Sequence, residues 1–568
     1  MNHKPDPVTV EVVNNALLSI AEQMGMALIR SAYSTNIKER KDCSCALFDA
    51  QGNLIALAEH IPIHLGSMQG LMKKIADSRN TCNFHAGDVI IANDPYHGGG
   101  SHLPDITLVQ PVFHQERLVA FTSNIAHWSD VGGRSPGIGT AGDSTELLQE
   151  GLRIPPTLII DRSKLREDVL GLILLNMRNQ KERLGDFRAQ IASLKLGERH
   201  LTKLFNKYDE KVVSYCIDDF FKYSRRRLEA ALKQIPEGTF LFMDKMDDDG
   251  ITQEPLAIRV KVTVVHGTHP SIHFDFSGTA PQARGGINMV WQALQATVLY
   301  SVKAIFGPDI PMNAGFQYPI RIDAPEGCLV NAQEPAAVGG RTDTCQRVVD
   351  AIMGALSQAD PKRVISASTG ATTAIIFGGT LNLTGKDFVY VEALGGGMGA
   401  RSNKDGIDGI QVHITNTSNL PIEALELEYP LRVTYYKLMP DTGGAGRFRG
   451  GLSIQKGIQA LKPVLFSAHS DRHKICPWGL RGGSPGVCGK FTHRSKNRST
   501  VIASKISGVL IEPGDILEVT TAGGGGFGYA NARDPKMVQR DYRLGKISRK
   551  HAQEAYGVVL AEGGKIKR

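Results

Sequence analysis

The chain has little of what marks a secreted, membrane or nucleic-acid-binding protein. Its 568 residues hold only eight cysteines, Cys43, Cys45, Cys82, Cys216, Cys328, Cys345, Cys476 and Cys488. They are too scattered for a disulfide framework and are expected to be ordinary core or surface thiols. Cys43 and Cys45 could face one side of a strand, but a thiolate zinc site needs a second pair and none lies nearby. No uninterrupted run approaches the roughly 20 apolar residues of a membrane span. Met1 to Pro7 lacks the basic stretch, apolar core and cleavage site of a secretory leader, so the chain is expected to be cytoplasmic, without membrane contact. Net charge is +8, from 65 basic and 57 acidic side chains, but the basic residues are dispersed. Without a basic face carrying interleaved aromatics, nucleic-acid binding is not expected. The glycine clusters 395–399 and 523–528 contain no G-x-x-x-x-G-K-[S/T] phosphate loop. Tight turns and close backbone crossings are the simpler reading of both.

What is present is an ordinary folded composition, 42% apolar and 21% charged, in a chain long enough for about three domains. Apolar residues recur at three- and four-residue intervals from Val8 to about Ser31, which predicts an amphipathic helix. The stretch from Cys45 to Leu57 reads as two strands around a turn at Gly52. Ser67 is a candidate cap for a helix through Met72 and Ile75, and Val89 to Ala92 is a candidate buried strand. Strands are also expected at 107–113 and 118–121, helices between Ser163 and Lys233, and alternating strands from Gly238 to Pro270. Asp247 to Gly250 reads as a turn between those strands; three consecutive aspartates lack the alternating oxygen ligands of a calcium loop, and a solvated hairpin tip is expected. Helices are predicted again at 287–306 and 345–357. The fold class is α+β and multidomain, with mixed sheets, an N-terminal helix, a central helical block and a glycine-rich β C-terminal region. The expected divisions are 1–162 (a metal-ligand region), 163–235 (helical), 236–375 (α+β) and 376–568 (glycine-rich and β-dominated, with a polar tail after Asp534 that lies on the surface or meets a partner).

The chemistry concentrates in Asn93-Asp-Pro-Tyr-His-Gly-Gly-Gly-Ser-His-Leu-Pro-Asp105, followed by His127. Gly98 to Gly100 permit close turns, and Pro104 fixes one dihedral between His102 and Asp105. Two imidazoles and a carboxylate are the donors of a divalent site that keeps a position open, and Asp42 is a candidate fourth ligand. The mixed nitrogen and oxygen set suits zinc, manganese or ferrous iron over calcium, and does not choose among the three. Each residue also has a plainer use: His102 could bond the loop backbone, His127 could be a satisfied polar residue beside Trp128, and the aspartates could cap turns. His60 and His64 are candidates for orienting substrate or carrying protons, since imidazole exchanges a proton near neutral pH.

Several long strings resemble one family in order along nearly the whole chain: Glu59-His-Ile-Pro-Ile-His-Leu-Gly-Ser-Met68, the 93–105 segment, Glu150-Gly-Leu-Arg-Ile-Pro-Pro156, Asn419-Leu-Pro-Ile-Glu423 and Thr521-Ala-Gly-Gly-Gly-Gly-Phe-Gly528. The chain is similar to the hydantoinase B / 5-oxoprolinase C-terminal-half family, which also includes the metal-containing subunit of acetone carboxylase and is related to acetophenone carboxylase subunits. The resemblance implies that His102, Asp105 and His127, with Asp42, hold one divalent metal. It implies a hetero-oligomer in which a hydantoinase A-like partner uses ATP to phosphorylate a carbonyl or amide oxygen. The expected activity is ATP-dependent hydrolysis of a small cyclic amide, a hydantoin-like or 5-oxoproline-like ring. The alternative that the resemblance leaves open is ATP-dependent carboxylation of a ketone such as acetone or acetophenone.

Overall fold

The computed structural model describes residues 5–58, 60–77, 84–139, 141–381, 386–496, 498–561 and 563–566. Glu59 and Cys82 lie outside these. The predicted N-terminal helix is α1 (Pro7–Ser31). Its start is set by Asp6, whose carboxylate accepts from the backbone N–H groups of Val8 and Thr9 at 3.0 and 3.1 Å, with Pro7 in the first turn, where a missing N–H costs nothing. At 25 residues α1 is long and apolar enough to cross a bilayer by length and composition, although polar residues interrupt its apolar runs. Here half of its most apolar window is buried, and the helix packs on the first sheet and a central helix.

That first sheet has seven antiparallel strands: β1 (Cys43–Asp49), β2 (Leu54–Ala58), β3 (Val89–Ala92), β4 (Asp105–His114), β5 (Arg117–His127), β6 (Thr157–Asp161) and β7 (Lys164–Leu165), in the order β2-β1-β5-β4-β3-β6-β7. α2 (Thr35–Lys38) precedes β1, and α3 (His64–Asp77) follows β2. Ser67 is not the cap of α3; it sits inside the first turn, and its buried hydroxyl has no hydrogen bond. The helical block is α4 (Glu167–Leu175), α5 (Gln180–Tyr208) and α6 (Glu210–Leu232), with α5 lying across β4 and β5.

A second sheet, β8 (Gly238–Met246), β9 (Leu256–Val265), β10 (Ser271–Asp275) and β11 (Ile320–Asp323), is interrupted in sequence by α7 (Trp291–Phe306) and α8 (Ala314–Gln317), and α9 (Arg341–Leu356) packs on β8 and β9. Every residue of α9 is buried, so this helix runs through the interior rather than along a face. The apolar core under the first two sheets runs from Val13 to Ile365 and takes in Ile414, so the first three expected segments share one interior to which the fourth also contributes.

The Asp247 to Gly250 turn between β8 and β9 is not a solvated tip. All three aspartates are buried, each with partners from distant segments. Asp247 accepts from the backbone N–H groups of His473, Lys474 and Ile475, Asp248 pairs with Lys474 at 2.7 Å, and Asp249 accepts from those of Arg284 and Gly285. Buried carboxylates persist when each oxygen has donors, and here the donors come from segments that the local sequence does not show.

The C-terminal third contains β12 (Ala374–Leu381), β13 (Lys386–Ala393), the helix α10 (Ile422–Glu428), β14 (Leu431–Leu438), β15 (Ile454–Ala460), β16 (Val464–His469), β17 (Lys490–Ser495), β18 (Arg498–Ile502), β19 (Ile506–Ile511) and β20 (Ile516–Thr520). They form two sheets, β13-β12-β16-β19 and β14-β15-β20-β17-β18. Beside them the glycine clusters cross. Gly524 donates its N–H to Gly451 at 2.9 Å and Gly451 donates to Met398 at 2.8 Å; a Cβ on Gly524 would stand 2.1 Å from the Met398 carbonyl. Only hydrogen fits such a crossing, which accounts for the glycine density without a phosphate loop.

Cys476 and Cys488 form a disulfide, which corrects the expectation of free thiols at those two positions. Gly486 donates to the Pro477 carbonyl at 2.9 Å and closes the intervening loop, so that the two Cα atoms lie 4.8 Å apart. Cys43, Cys45, Cys216, Cys328 and Cys345 are free and buried. The tail is also more ordered than its polarity suggests: α11 (Pro535–Arg543) and α12 (Arg549–Tyr556) bury Val538, Ala552 and Tyr556 against Ala445.

Candidate metal centre

Three strands that are neighbours in the first sheet present three of the predicted residues at one end. Asp105, the first residue of β4, lies directly opposite His127, the last residue of β5, and the pairing of Cys43 with Ala126 places Asp42 beside them at the start of β1. His127 donates its backbone N–H to the Asp42 carbonyl at 3.0 Å. Opposed residues in an antiparallel ladder have Cα atoms about 5 Å apart, so the register itself brings these side chains together.

His102 arrives from the glycine loop. Asn93 fastens that loop, donating to the carbonyls of Leu103 and Leu152 and accepting from the Ile154 N–H at 2.7 Å. Asp94 adds an ion pair with Arg153 at 2.6 Å, so the 93–105 and 150–156 strings are two sides of one joint. A Cβ on Gly99 would lie 2.4 Å from the Asn93 nitrogen, which is why the loop needs glycine where it folds back.

The result is a buried His102, Asp105, His127 group whose candidate ligand atoms all lie within 4.8 Å of one another, a cluster able to coordinate a divalent metal. His102 Nε2 and Asp105 Oδ1 are 3.2 Å apart, yet neither makes a hydrogen bond. Two buried atoms left this way normally cost free energy. Donors held 2.0–2.2 Å from a common ion at tetrahedral angles are about 3.4 Å apart, so the spacing fits lone pairs aimed at one cation.

The surroundings fix the charge states that such an ion needs. Burial alone would raise the Asp105 carboxyl, but its neighbours His102 and Arg341 outweigh it and hold the group well below the usual range. Arg341, at the start of α9, donates to Asp105 Oδ2 at 2.9 Å and to the Ser101 hydroxyl at 2.9 Å, and Ser101 donates to Oδ2 at 3.0 Å. The other carboxylate oxygen, Oδ1, is thus left facing the histidines. Burial lowers His102 to about 4, with the Arg341 charge adding to the effect, and lowers His127 well below its ordinary value. Neutral imidazoles beside an ionised carboxylate are the ligand forms of these groups. Asn36 holds His127 through bonds to its carbonyl at 2.6 Å and to Nδ1 at 3.1 Å, and Arg40 bonds Asn36 in turn.

Asp42 lines the same cavity, of about 60 Å³, but lies outside the three-residue group. Burial raises its carboxyl, against the pull of His64 and Arg40. His64 joins the two aspartates: its Nε2 lies 3.5 Å from Asp42 and 3.7 Å from Asp105, and its Nδ1 is 3.2 Å from the Ser44 hydroxyl.

His60 is placed elsewhere. Pro62 and the turn before α3 send it to a separate cavity of about 850 Å³ that it lines with Tyr300, Arg401 and His413, and its ring abuts Gly25 of α1. The two cavities share Thr415. Arg341, Thr372 and His469 also line the metal-centre cavity and come from segments more than 200 residues away in sequence. Nothing local in the sequence marks them; in β16 Leu465 is exposed and Phe466 to His469 are buried in succession, so no alternation singles out His469.

Residues 6–530 match the family model described as hydantoinase B/oxoprolinase. The chain is 38% identical over 558 residues to an uncharacterized protein of Methanocaldococcus jannaschii, covering 98% of this chain and 96% of that one. It is 33% identical to the B subunit of a putative D-/L-hydantoinase from a Pseudomonas species, covering 99% of this chain and 97% of the other. Against 5-oxoprolinase 1 of Arabidopsis thaliana it is 32% identical and spans 42% of that protein's length. Among solved structures, the ATP-dependent caprolactamase of Pseudomonas jessenii superposes with a TM-score of 0.91 at 29% identity, over 100% of this chain and 98% of that one. The nucleotide-free acetone carboxylase structure also gives 0.91, over 99% of this chain and 81% of that one, but at 18% identity that likeness is one of fold. A family model that spans the whole metal-centre region, and relatives matched end to end, place the chain in the hydantoinase B/oxoprolinase family.

Proposed function

We propose that this chain is the metal-bearing subunit of an ATP-dependent cyclic amide hydrolase, opening a hydantoin-like or 5-oxoproline-like ring after a partner subunit has phosphorylated it. The observation that carries the reading is the buried His102, Asp105 and His127 group with unpaired ligand atoms. Kinship to an ATP-dependent caprolactamase and to the B subunit of a putative hydantoinase supports the substrate class.

His102, Asp105 and His127, with Asp42 as a fourth ligand, would hold one zinc, manganese or ferrous ion. When bound, such an ion polarises an oxygen and lowers the pKa of water, so that attack on an amide carbon proceeds without strong base in bulk solvent. The chain's own residues do the rest. Arg341 and Ser101 hold one oxygen of Asp105 so that the other stays aimed inward. Asn36 fixes the His127 ring, and His64 stands between two carboxylates, with its Nε2 3.5 Å from Asp42 and 3.7 Å from Asp105. The small cavity, of about 60 Å³, has room for very little solvent around these groups. The larger one, which also has Thr415 in its wall, carries Lys303, Lys362, Arg363, Arg401 and Lys404 and, among the described residues, no acidic side chain, which suits a phosphorylated, anionic ring. Phosphorylation matters because an amide nitrogen is a poor leaving group until resonance with its carbonyl is weakened. The glycine clusters of this chain are committed to backbone crossings, so ATP is assigned to the hydantoinase A-like partner in a hetero-oligomer.

The test is to purify the chain with its ATP-binding partner and supply ATP with hydantoin or 5-oxoproline. Ring-opened product and ADP are expected from metal-replete complex and not from the chain alone. Absence of ring opening in the reconstituted, metal-replete complex would sink the reading, and bicarbonate-dependent ATP consumption with acetone or acetophenone would replace it with ketone carboxylation.

A further inference from the structure

Among the described residues lining the metal-centre cavity are four histidines, His64, His102, His127 and His469, and only His469 has its Nδ1 bonded to a carboxylate. Asp343 Oδ2 lies 2.8 Å from that Nδ1, and both side chains are buried. A carboxylate only accepts, so Nδ1 is the nitrogen that carries a proton in this pair. The Asp343 carboxylate is itself fixed, its other oxygen accepting the Thr372 N–H at 2.8 Å. Two rigid elements carry the pair. Asp343 is in the first turn of α9, two residues beyond the Arg341 that bonds Asp105, and His469 ends β16, opposite Ala374 of β12. The Nε2 atom makes no hydrogen bond within the described chain, although the ring is 1% exposed and lines the cavity. An imidazole oriented by a buried carboxylate, in the wall of the cavity that the candidate ligands line, is built to take and return a proton.

We propose that His469 is the catalytic acid–base of the ring-opening step and that Asp343 is its positioning residue. This rests on the hydrolase reading above. In the step, the oxygen of one water bonds the ring carbon that carries the phosphorylated oxygen, and His469 Nε2 takes a proton from that water. The C–N bond then breaks, its electron pair goes to nitrogen, and both protons of the water end on that nitrogen, the first delivered by Nε2. The carbon is left as an acyl phosphate, which a second water cleaves to carboxylate and phosphate. No oxidant or reductant is needed.

The experiment compares wild type, His469→Gln, His469→Ala and Asp343→Asn in complex with the ATP-binding partner, using 5-oxoproline and hydantoin, and reads bound metal per chain, ADP formed and ring-opened product. General acid–base groups contribute typically 10²–10⁴-fold, so His469→Gln should lose about 100-fold or more in product formation while keeping its metal and its first-turnover ADP. Asp343→Asn should lose less. His469→Ala should regain product on addition of imidazole, which a residue needed only for packing would not show. Wild-type product rates in His469→Gln overturn the proposal, and so does loss of metal in that variant, since it would make His469 a ligand. If the wild-type complex opens no ring, the hydrolase reading fails on its own account. The histidine tautomer, read from ¹⁵N shifts of labelled chain against His469→Gln, then decides the dyad: a proton on Nδ1 is expected, and a proton on Nε2 contradicts it.

Discussion

Arg341 places a guanidinium in the interior, where an unpaired charge is costly, and its partner Asp105 is wholly buried as well. Removing one member of a buried pair typically costs about 3–5 kcal/mol, chiefly because the other charge is stranded. Arg341→Met should therefore destabilise metal-free chain by about that much in denaturant melts, and a divalent ion beside Asp105 should recover part of the loss. Equal destabilisation with and without metal would show that the carboxylate does not face an ion. His102→Ala tests the cluster from the other side. Elemental analysis should show metal falling to background and turnover disappearing, while the complex with the ATP-binding partner still elutes as one species in size exclusion.

At the scale of elements, the site depends on sheet register and on α9. His102, Asp105 and His127 were legible in the sequence because a glycine-rich loop, a proline and three ligand-type residues stand close together, and α1, α5 and most strands follow from their apolar periodicity. The second ring of residues was not legible. Asp343 and His469 are 126 residues apart, and what joins them is the approach of α9 to the end of β16, a long-range contact with no local signature. The acidic turn was hidden for the same reason: Asp247 to Asp249 read as solvated because the backbone groups of 473–475 that Asp247 binds lie in another sheet region. His60 and His64 share one motif, yet Pro62 and the start of α3 send them to different cavities. The glycine crossings yield an element-scale prediction. Gly524→Ala would push a methyl to within 2.1 Å of the Met398 carbonyl, and since backbone cannot yield as a side-chain tip can, the variant should lose several degrees in melting temperature or fail to fold. A melting temperature unchanged from wild type would contradict the close crossing.

For the whole molecule, Glu150, in the connection between β5 and β6, ties that connection to the segment leading into α9. This buried carboxyl accepts from the backbone N–H groups of Val338 and Gly339 and from Ser144, yet burial raises it from its ordinary 4.5 to about 7. The folded chain therefore keeps a proton that the unfolded chain releases near pH 4.5. Stability from this group is fully present below that pH and is lost as pH rises toward 7, by about 3 kcal/mol in total. Glu150→Gln should flatten the fall in melting temperature between pH 5 and 7.5; a variant whose stability follows the wild-type curve over that window would show that another group carries it. His102, lowered to about 4, acts in the opposite sense. The folded chain leaves it neutral while the unfolded chain protonates near 6.5, so its contribution falls as pH drops from about 6.5 to 4.

Function at every scale turns on whether Asp42, His102, Asp105 and His127 surround a cation. The most direct measurement is an anomalous-difference map of crystals of metal-replete, active protein, collected on both sides of the absorption edge of the metal identified by elemental analysis. One peak is predicted inside the ligand cluster, lying within bonding distance of His102, Asp105 and His127 and near Asp42. Active protein with no peak there, or with its peak at some other place in the chain, would contradict the metal centre.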